Sequence, residues 1–418
     1  MKKRFCIMMV VAAAALAAAG QAPCDIFSPS IRSVKTQLLT NAYMPPIMVL
    51  GTDEQILVSF DDMAVEHQYL RYSVVHCDAN WQPSDLLESE YVSGFNYANI
   101  TEYAYSSSTF SHYVHYEFTL PNEDIDISKS GNYLVKVYPE DDSDAVLFQA
   151  GFYVSENKVT LSMDVTSRTD MTYNNKHQQV SAKVNMEDFD VRDPYNDLNL
   201  VVTQNSRRDT EVMLNRPFMV SGNEVEYDHL KSLIFMAGNE FRRMEMVDVN
   251  TINMGVERIV YAHPLYHAEL CVDEPRCNSE YLYDSTQYGR FTIRNRLAEY
   301  SETMAEYMIT HFTLNTGGPL EGGKIYLDGE FTNHLLAPDY MMRYDSSSGT
   351  YMCEILLKQG AYNYQYLWVP NGDTKGYTAK IEGDKYETVN EYFGRVYYRT
   401  PNDRYDRLIA YNLVYSGK

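Results

Sequence analysis

Basic side chains are scarce in this chain. Its 418 residues include 35 lysines and arginines against 57 acidic residues, for a formal net charge of −22 at pH 7. Binding to nucleic acid or to anionic lipid needs a basic surface that neutralises phosphates, so this balance argues against both classes of partner. A strongly acidic protein is soluble and suits a partner protein with a basic surface.

Cysteine is scarce as well. Apart from Cys6, the sequence has only Cys24, Cys77, Cys271, Cys277 and Cys353. Five cysteines are too few for a disulfide scaffold, so the core must form by packing. In an oxidising compartment an odd number leaves at least one thiol unpaired. Cys271 and Cys277 lie close enough in sequence to close a short loop, and they are the candidate disulfide.

Long apolar runs are missing after the N-terminus. The run from Cys6 to Ala19 is shorter than the roughly 20 residues of a membrane-spanning helix. It follows Lys2, Lys3 and Arg4 and ends in small residues, which predicts a signal peptide at residues 1–20 and export of the remaining chain. Cys24 is not a convincing lipid-attachment site, because the residues before it form a poor lipobox. No later segment is apolar enough for a membrane-spanning helix.

Helical apolar stripes are also missing. Apolar residues instead alternate with polar ones, as at Val159, Leu161, Met163 and Val165, which is the two-residue period of a half-buried strand. The 37 tyrosines suit pleated surfaces with one wet end. Short strands separated by turn residues predict an all-β protein built of sandwiches.

A Gly-x-aromatic pattern at the entry to a strand suggests repeated domains. Gly131-Asn132-Tyr133 and Gly360-Ala361-Tyr362 share it, and Gly238-Asn239-Glu240-Phe241 is a looser copy. We therefore predict three tandem immunoglobulin-like or early-set β-sandwich domains, at residues 21–156, 157–297 and 298–418. A tyrosine near the start of the penultimate strand of such sandwiches returns its hydroxyl to the backbone. Tyr133 and Tyr362 are candidates for that bond; the alternative is that the pattern only marks turn-to-strand junctions.

An outer-membrane β-barrel is the competing architecture. Alternating strands and many tyrosines would fit its aromatic girdles, but its strands need about ten residues each. Most alternating runs in this sequence are shorter, which favours the soluble sandwich.

Motifs for catalysis and cofactor binding are absent from the sequence. It contains no P-loop, dinucleotide fingerprint, zincin helix or nucleophile elbow. His112 and His115 are expected to face opposite sides of a strand, and Pro264 argues against a helix that would align His263 with His267. The acid-rich segments 123–126 and 140–144 fit charged turns, with calcium binding as the weaker alternative. We therefore assign no catalytic, cofactor-binding or metal-ligating residue.

One cluster resembles an active site: His76-Cys77-Asp78-Ala79-Asn80-Trp81. Adjacent residues of a strand point to opposite faces, so His76 and Cys77 cannot act together as base and nucleophile. His76 ends an apolar row and is expected to be a hydrogen-bonded core residue. Asp78-Ala79-Asn80 is turn chemistry, and Trp81 is expected to close over the end of the sheet.

The sequence resembles the type IX secretion system plug protein family, most specifically in the family's N-terminal domain. The segments that carry the resemblance are 56–62, 72–81, 90–95, 113–116 and 130–133, in that order, and then 237–242, 358–364 and 387–392.

The resemblance implies a non-enzymatic periplasmic protein of β-sandwich domains. It also implies that the protein binds a large outer-membrane β-barrel translocon from the periplasmic side, without inserting into the membrane, and seals its pore at rest. It brings no catalytic residues and no cofactor. Loop aromatics of the first domain, Trp81, Tyr91 and Phe95, are the candidate partner contacts; for Trp81 and Phe95 the alternative is core packing.

A second hypothesis is a periplasmic carbohydrate-binding or glycan-processing protein. The aromatic run Tyr362–Trp368 would supply a platform on which sugars stack.

Overall fold

The computed structural model describes residues 24–187 and 189–417. The predicted signal peptide at residues 1–20 lies outside these ranges. The first part of the chain forms twelve strands and one helical turn. They are β1 Cys24–Ile26, β2 Ile31–Leu38, β3 Ile47–Val49, β4 Ile56–Asp62, β5 Leu70–Cys77, α1 Glu88–Tyr91, β6 Val92–Gly94, β7 Ala98–Asn99, β8 Glu102–Tyr105, β9 Val114–Leu120, β10 Ile125–Ile127, β11 Gly131–Pro139 and β12 Phe148–Ser155.

The middle and C-terminal parts continue in the same way, with two further helical turns, α2 and α3. The middle elements are β13 Thr160–Thr166, β14 His177–Asn185, α2 Pro194–Asp197, β15 Leu198–Gln204, β16 Arg207–Leu214, β17 Met219–Ser221, β18 Glu224–Tyr227 and β19 Ile234–Met236. The last are β20 Arg242–Glu245, β21 Val256–Ala262, β22 Leu265–Leu270, β23 Phe291–Ile293, α3 Ser301–Met304, β24 Tyr307–Leu314, β25 Gly323–Asp328, β26 Arg343–Asp345, β27 Thr350–Lys358, β28 Gly360–Pro370, β29 Glu391–Tyr398 and β30 Arg407–Tyr415. Short 3-10 turns lie at Lys231–Leu233, Glu330–Thr332 and Pro338–Tyr340.

The first sandwich packs two sheets around a core of aliphatic and aromatic residues. One sheet has the order β1-β12-β11-β5-β7, with β3 added parallel to β12, and the other has the order β2-β4-β9-β8. Phe60 and Tyr116 from one sheet meet Val74, Val135 and Phe152 from the other, and all five are buried. The alternation of apolar residues that predicted strands therefore supplies the inner faces.

The second sandwich is discontinuous in sequence. One of its sheets has the order β13-β14-β18-β17, with β19 on β14, and the facing sheet has the order β16-β15-β29-β30. Its core joins residues such as Val184 and Leu200 to Val396 and Ile409 from the end of the chain. The C-terminal hairpin β29-β30 thus completes a domain that begins near residue 159.

In the sequence, the strands of the third sandwich lie between these two parts of the second. Its sheets are β20-β28-β23, with β25 on β28, and β21-β22-β24-β27-β26. This arrangement differs from the predicted division at 157–297 and 298–418. The physical reason is that every residue of β29 is buried, and β29 pairs on one side with β30 and on the other with the distant β15 rather than with a strand of the third sandwich. The all-β sandwich class itself is confirmed.

Both predicted tyrosine hydroxyl bonds are present. The Tyr133 hydroxyl donates to the carbonyl of Lys129 over 2.8 Å, and that of Tyr362 donates to the carbonyl of Lys358 over 2.6 Å. Each bond spans four residues at the start of a strand, β11 or β28. The looser copy at Gly238 has Phe241 at this place and cannot form such a bond.

Candidate functional site

His76 is the last residue but one of β5, and it is buried with both ring nitrogens hydrogen-bonded. Its Nδ1 lies 2.7 Å from Ser84 Oγ and its Nε2 lies 2.9 Å from the carbonyl oxygen of Ser130. Burial lowers the pKa of His76 to about 4, so its imidazole is neutral near pH 7. A Cβ at Gly131 would lie 2.5 Å from His76 Nε2, and Gly131 also has a positive φ. Because of this close approach and this backbone conformation, position 131 requires glycine.

Cys77 points to the other face of β5, as predicted. It packs in a small cluster with Trp81 and Leu134, and burial raises the pKa of its thiol to about 12. Because a thiolate is the nucleophilic form, this buried thiol is unreactive. The His76–Trp81 segment is therefore not a Cys-His catalytic site.

The turn after Cys77 contacts the C-terminal part of the second sandwich. Asp78 accepts hydrogen bonds from Arg399 Nη1 at 2.9 Å and from the backbone N–H of Asp406 at 3.2 Å. In return, the Asp406 carboxylate accepts from the backbone N–H of Ala79 at 2.9 Å. Ala79 itself packs against apolar residues of β15, β29 and β30. The segment therefore holds the first sandwich against the second.

Neighbouring residues extend this joint. The Tyr397 hydroxyl donates to Asn132 Oδ1 at 2.7 Å, and Arg407 pairs with Glu156 at 2.6 Å. The connection between the two sandwiches is itself bonded, since the N–H groups of Glu156 and Lys158 donate to carbonyls of β30. We call these contacts, together with those of Asp78 and Ala79, the first-second joint.

A buried charge cluster joins the first sandwich to the third. Asp61 on β4 accepts from Lys358 Nζ at 2.6 Å and from the Tyr307 hydroxyl at 2.6 Å, both in the third sandwich. On its own sheet it is bonded to His115 Nδ1 at 2.7 Å. Lys358 Nζ also lies 4.3 Å from the centre of the Tyr113 ring, a cation–π distance. We call Asp61, His115, Tyr307 and Lys358 the Asp61 cluster.

The charges of the Asp61 cluster hold one another in place. Burial opposes ionisation of Asp61, but Lys358 and His115 outweigh it and keep the pKa of this carboxyl below its ordinary value. Burial also opposes protonation of His115, yet the Asp61 and Glu117 carboxylates raise its pKa to about 9. Near pH 7 the cluster is therefore an anion between two cations. In a low dielectric such an arrangement is strongly geometry-dependent.

The candidate partner contacts are divided by burial. Trp81 is 1% exposed and packs edge-on against Tyr153 in the first-second joint, and Tyr91 is 4% exposed. Neither side chain can contact a partner in this structure, so core packing is the correct reading of Trp81. Phe95 is 73% exposed, so for Phe95 the core alternative is wrong and a contact role is open to it.

Phe95 belongs to a larger group of exposed phenylalanine and tyrosine rings, joined by a half-buried histidine, that the sequence analysis missed. Some of these rings lie on or beside the edge strand β8, whose four residues are all exposed. The others directly precede β7, the edge strand of the facing sheet. The members of this group, here called the aromatic surface, are His67, Tyr69, Phe95, Tyr97, Tyr103 and Tyr105. The period-two spacing of Tyr103 and Tyr105 in a short strand was the available signal.

Ring contacts join His67, Tyr69, Tyr103 and Tyr105 into one group, and Phe95 and Tyr97 form a separate pair with ring centres 5.7 Å apart. His67 stacks on Tyr103 with ring centres 4.5 Å apart and meets Tyr69 edge-on at 4.9 Å. Tyr103 also lies 6.1 Å from the buried ring of Tyr116. The aromatic stack of the core thus continues outward to solvent at this edge.

These geometries can be compared with known proteins. Residues 31–156, which span most of the first sandwich, match the family model described as "Type 9 secretion system plug protein 1st domain". The chain belongs to the type IX secretion system plug protein family. This match covers the His76–Trp81 segment, Asp61 and the whole aromatic surface. The family consists of secretion-system components rather than enzymes, and membership suggests a periplasmic or outer-membrane-associated location and a translocon partner.

A solved structure extends the similarity of this plug-family chain to nearly its full length. It is a crystal structure at 2.30 Å of a hypothetical protein from Parabacteroides merdae, with 40% sequence identity and a TM-score of 0.92. The alignment covers 94% of this chain and 99% of that one. No curated protein matches the chain.

Other predicted sites in the plug-family chain have different outcomes. Cys271 and Cys277 are both free thiols in the structure, so the predicted disulfide is not formed in it. Of the aromatic run Tyr362–Trp368, Tyr362, Tyr364 and Tyr366 are buried in the third core, and they cannot act as a platform for sugars.

Within residues 24–187 and 189–417, no group of three or more histidine, cysteine or acidic side chains could hold a metal ion. Across the same ranges, none of the helices has the length and apolar character needed to cross a bilayer.

Proposed function

We propose that this protein is a non-enzymatic periplasmic plug that binds the outer-membrane type IX translocon barrel and seals its pore in the resting state. The observation that carries the proposal is the way in which the family-signature domain is joined to the rest of the molecule. The first sandwich contacts the second through the first-second joint and the third through the Asp61 cluster. A plug must keep its shape when it occupies a pore, and these contacts connect the three sandwiches into one unit.

The family signature supports the same reading, since its most distinctive residues serve the joints. Asp78 and Ala79 make hydrogen bonds and apolar contacts to the second sandwich. His76 and Cys77 are buried beside them, and the thiol of Cys77 is not ionised. A catalytic reading would need an accessible nucleophile or base. The residues instead fix the orientation of domains, which is what a plug requires.

The net charge of −22 also fits the proposal. A plug must release as well as bind, and an interface with many polar and charged groups suits reversible association better than an obligate apolar one. Export by the signal peptide at residues 1–20 is part of the proposal, because the partner barrel is reached from the periplasm.

Two measurements test the proposal. Extraction of native membranes with mild detergent should recover the protein together with a very large β-barrel protein, identified by mass spectrometry. The barrel reconstituted in a planar bilayer should conduct ions when isolated and lose most of that conductance when this protein is added. Recovery of the protein only as a free monomer, together with an unchanged conductance, would refute the plug function.

A further inference from the structure

Acidic side chains surround the aromatic surface. The segments that carry it, 63–71 and 95–105, and the adjoining hairpin 138–146 contain six exposed acids: Glu66, Glu102, Glu140, Asp141, Asp142 and Asp144. Their only lysine or arginine is Arg71. The acidic hairpin is fixed next to the rings, because the backbone N–H of Glu140 donates to the carbonyl of Tyr69 at 2.8 Å. Exposed rings and negative charge therefore share one edge of the first sandwich.

Arg71 shows which chemistry this combination binds. Its guanidinium lies 5.3 Å from the centre of the Tyr97 ring and pairs with Glu140 at 2.5 Å. One ring and one acid thus already hold a cation of the chain itself. In the described part of the chain, no lysine or arginine lies over Tyr69 or Tyr105.

Several of the acids around the rings likewise have no basic partner. Across residues 24–187 and 189–417, no basic side chain pairs with Glu66, Glu102 or Asp141. The strand β8 adds a third element, since it has a neighbour on one side only. Its open edge leaves backbone donors and acceptors to which an extended segment can pair.

We infer that the aromatic surface binds an extended polypeptide segment rich in lysine and arginine, presented by the protein's partner. Ring faces attract cations and the acids pair with them, while the edge of β8 aligns the segment. The inference rests on the proposed function in one respect: it takes the translocon barrel as the protein that presents the segment.

The test uses the full mature chain and oligolysine as the probe. Binding is measured by calorimetry at low and high salt, with oligoglutamate and a β-glucan hexasaccharide as comparison probes. The ring variant is Phe95→Ser with Tyr105→Ser, and the acid variant is Glu66→Lys with Asp141→Lys. The matched control for the acid variant is Glu257→Lys with Glu321→Lys, which makes the same change of charge at exposed acids of the third sandwich.

We expect oligolysine to bind the wild-type protein and to weaken with salt. The ring and acid variants should each weaken binding by about tenfold, the effect of losing one or two cation–π contacts or ion pairs. The control should stay within about twofold of the wild type. The acid variant replaces only exposed side chains, so it keeps the test valid even if the ring variant unfolds.

Three results would overturn the inference. They are equal binding by wild type, acid variant and control; binding of the glycan but not of oligolysine; and a wild-type dimer, seen by sedimentation, that the ring variant abolishes. Membrane extraction separates the inference from the plug function. Recovery of the barrel with wild type and acid variant alike would refute this surface and leave the plug function intact. Failure of the wild type to recover the barrel, with oligolysine still bound at this surface, would refute the plug function instead.

Discussion

Neutralising Asp61 should destabilise the protein more than any surface charge change. The side chains of Asp61 and Lys358 are 1% and 0% exposed, so the substitution Asp61→Asn leaves the Lys358 ammonium buried without its counter-ion and leaves His115 with only the more distant Glu117 carboxylate. Removing one partner of a buried ion pair costs about 3–5 kcal/mol. We expect this loss in the stability of the contact between the first and third sandwiches.

The same magnitude predicts a recovery in the double variant. Replacing both partners, Asp61→Asn with Lys358→Met, removes the uncompensated ammonium, and such replacements are often neutral in stability. The double variant should therefore regain more than half of the loss. The control is Glu269→Gln, which breaks the exposed pair with Arg258, at 39% and 61% exposure; it should cost less than about 1 kcal/mol.

Differential scanning calorimetry and urea unfolding measure these effects. A loss of 3–5 kcal/mol should lower the first thermal transition by about 10 °C, since about 1 kcal/mol corresponds to 2–4 °C for a unit of 150–250 residues. A loss below about 1 kcal/mol for Asp61→Asn, or a double variant no more stable than the single one, would refute the reasoning that the cluster is a buried, mutually dependent ion pair.

Four further outcomes are expected. The combined contribution of His115 and His76 to stability should be largest near pH 6.5. That of His115, whose pKa is raised to about 9, is present below pH 6.5 and lost as pH rises through 9, while that of His76, whose pKa is lowered to about 4, is lost as pH falls from 6.5 to 4. Each of these two losses amounts to about 3 kcal/mol. In a plot of the urea unfolding midpoint against pH, His115→Gln should flatten only the alkaline side and His76→Gln only the acid side. Tyr362→Phe should cost about 1–2 kcal/mol in urea unfolding, because the buried Lys358 carbonyl loses its donor. Gly131→Ala should cost about 2 kcal/mol or more by the same assay, since the new Cβ meets His76 and the φ of 142° is strained; an Ala variant as stable as wild type would contradict this. A chain ending at residue 390 lacks two of the four strands in one sheet of the second sandwich and should be degraded by trypsin in that region while the first sandwich survives.

Local patterns in the sequence predicted local structure well. The two-residue period predicted the strands, the adjacency of His76 and Cys77 predicted opposite faces, and the Gly-x-Tyr pattern predicted the hydroxyl bonds of Tyr133 and Tyr362. Each of these depends on residues within one strand and its turn, so the information is present in a short window of sequence.

Long-range pairing could not be predicted in the same way. The buried charges of β29, Glu391 and Arg395, are stable only because Arg290 and Glu211 meet them in the fold. Because these partners lie far apart in the sequence, their pairing could not be predicted from a short window, and neither could the domain boundary that depends on it. Trp81 and Phe95 pose the same problem, because both are aromatics in loops. Trp81 is buried between residues of its own sandwich and Arg208 of the second, whereas Phe95 lies in solvent.

The discontinuous second sandwich has a consequence for the order of assembly. A chain delivered N-terminus first presents β15 long before β29 exists to pair with it, and the surface of Ala79 likewise waits for β29 and β30. Residues 391–415 are thus delivered after the rest of both sandwiches, and they bond the first sandwich to the second. A chain delivered without β29 and β30 would carry a signature domain that contacts the third sandwich through the Asp61 cluster but is not bonded to the second. Attachment to a partner and rigid closure thus become separable in time, and closure waits for β29 and β30.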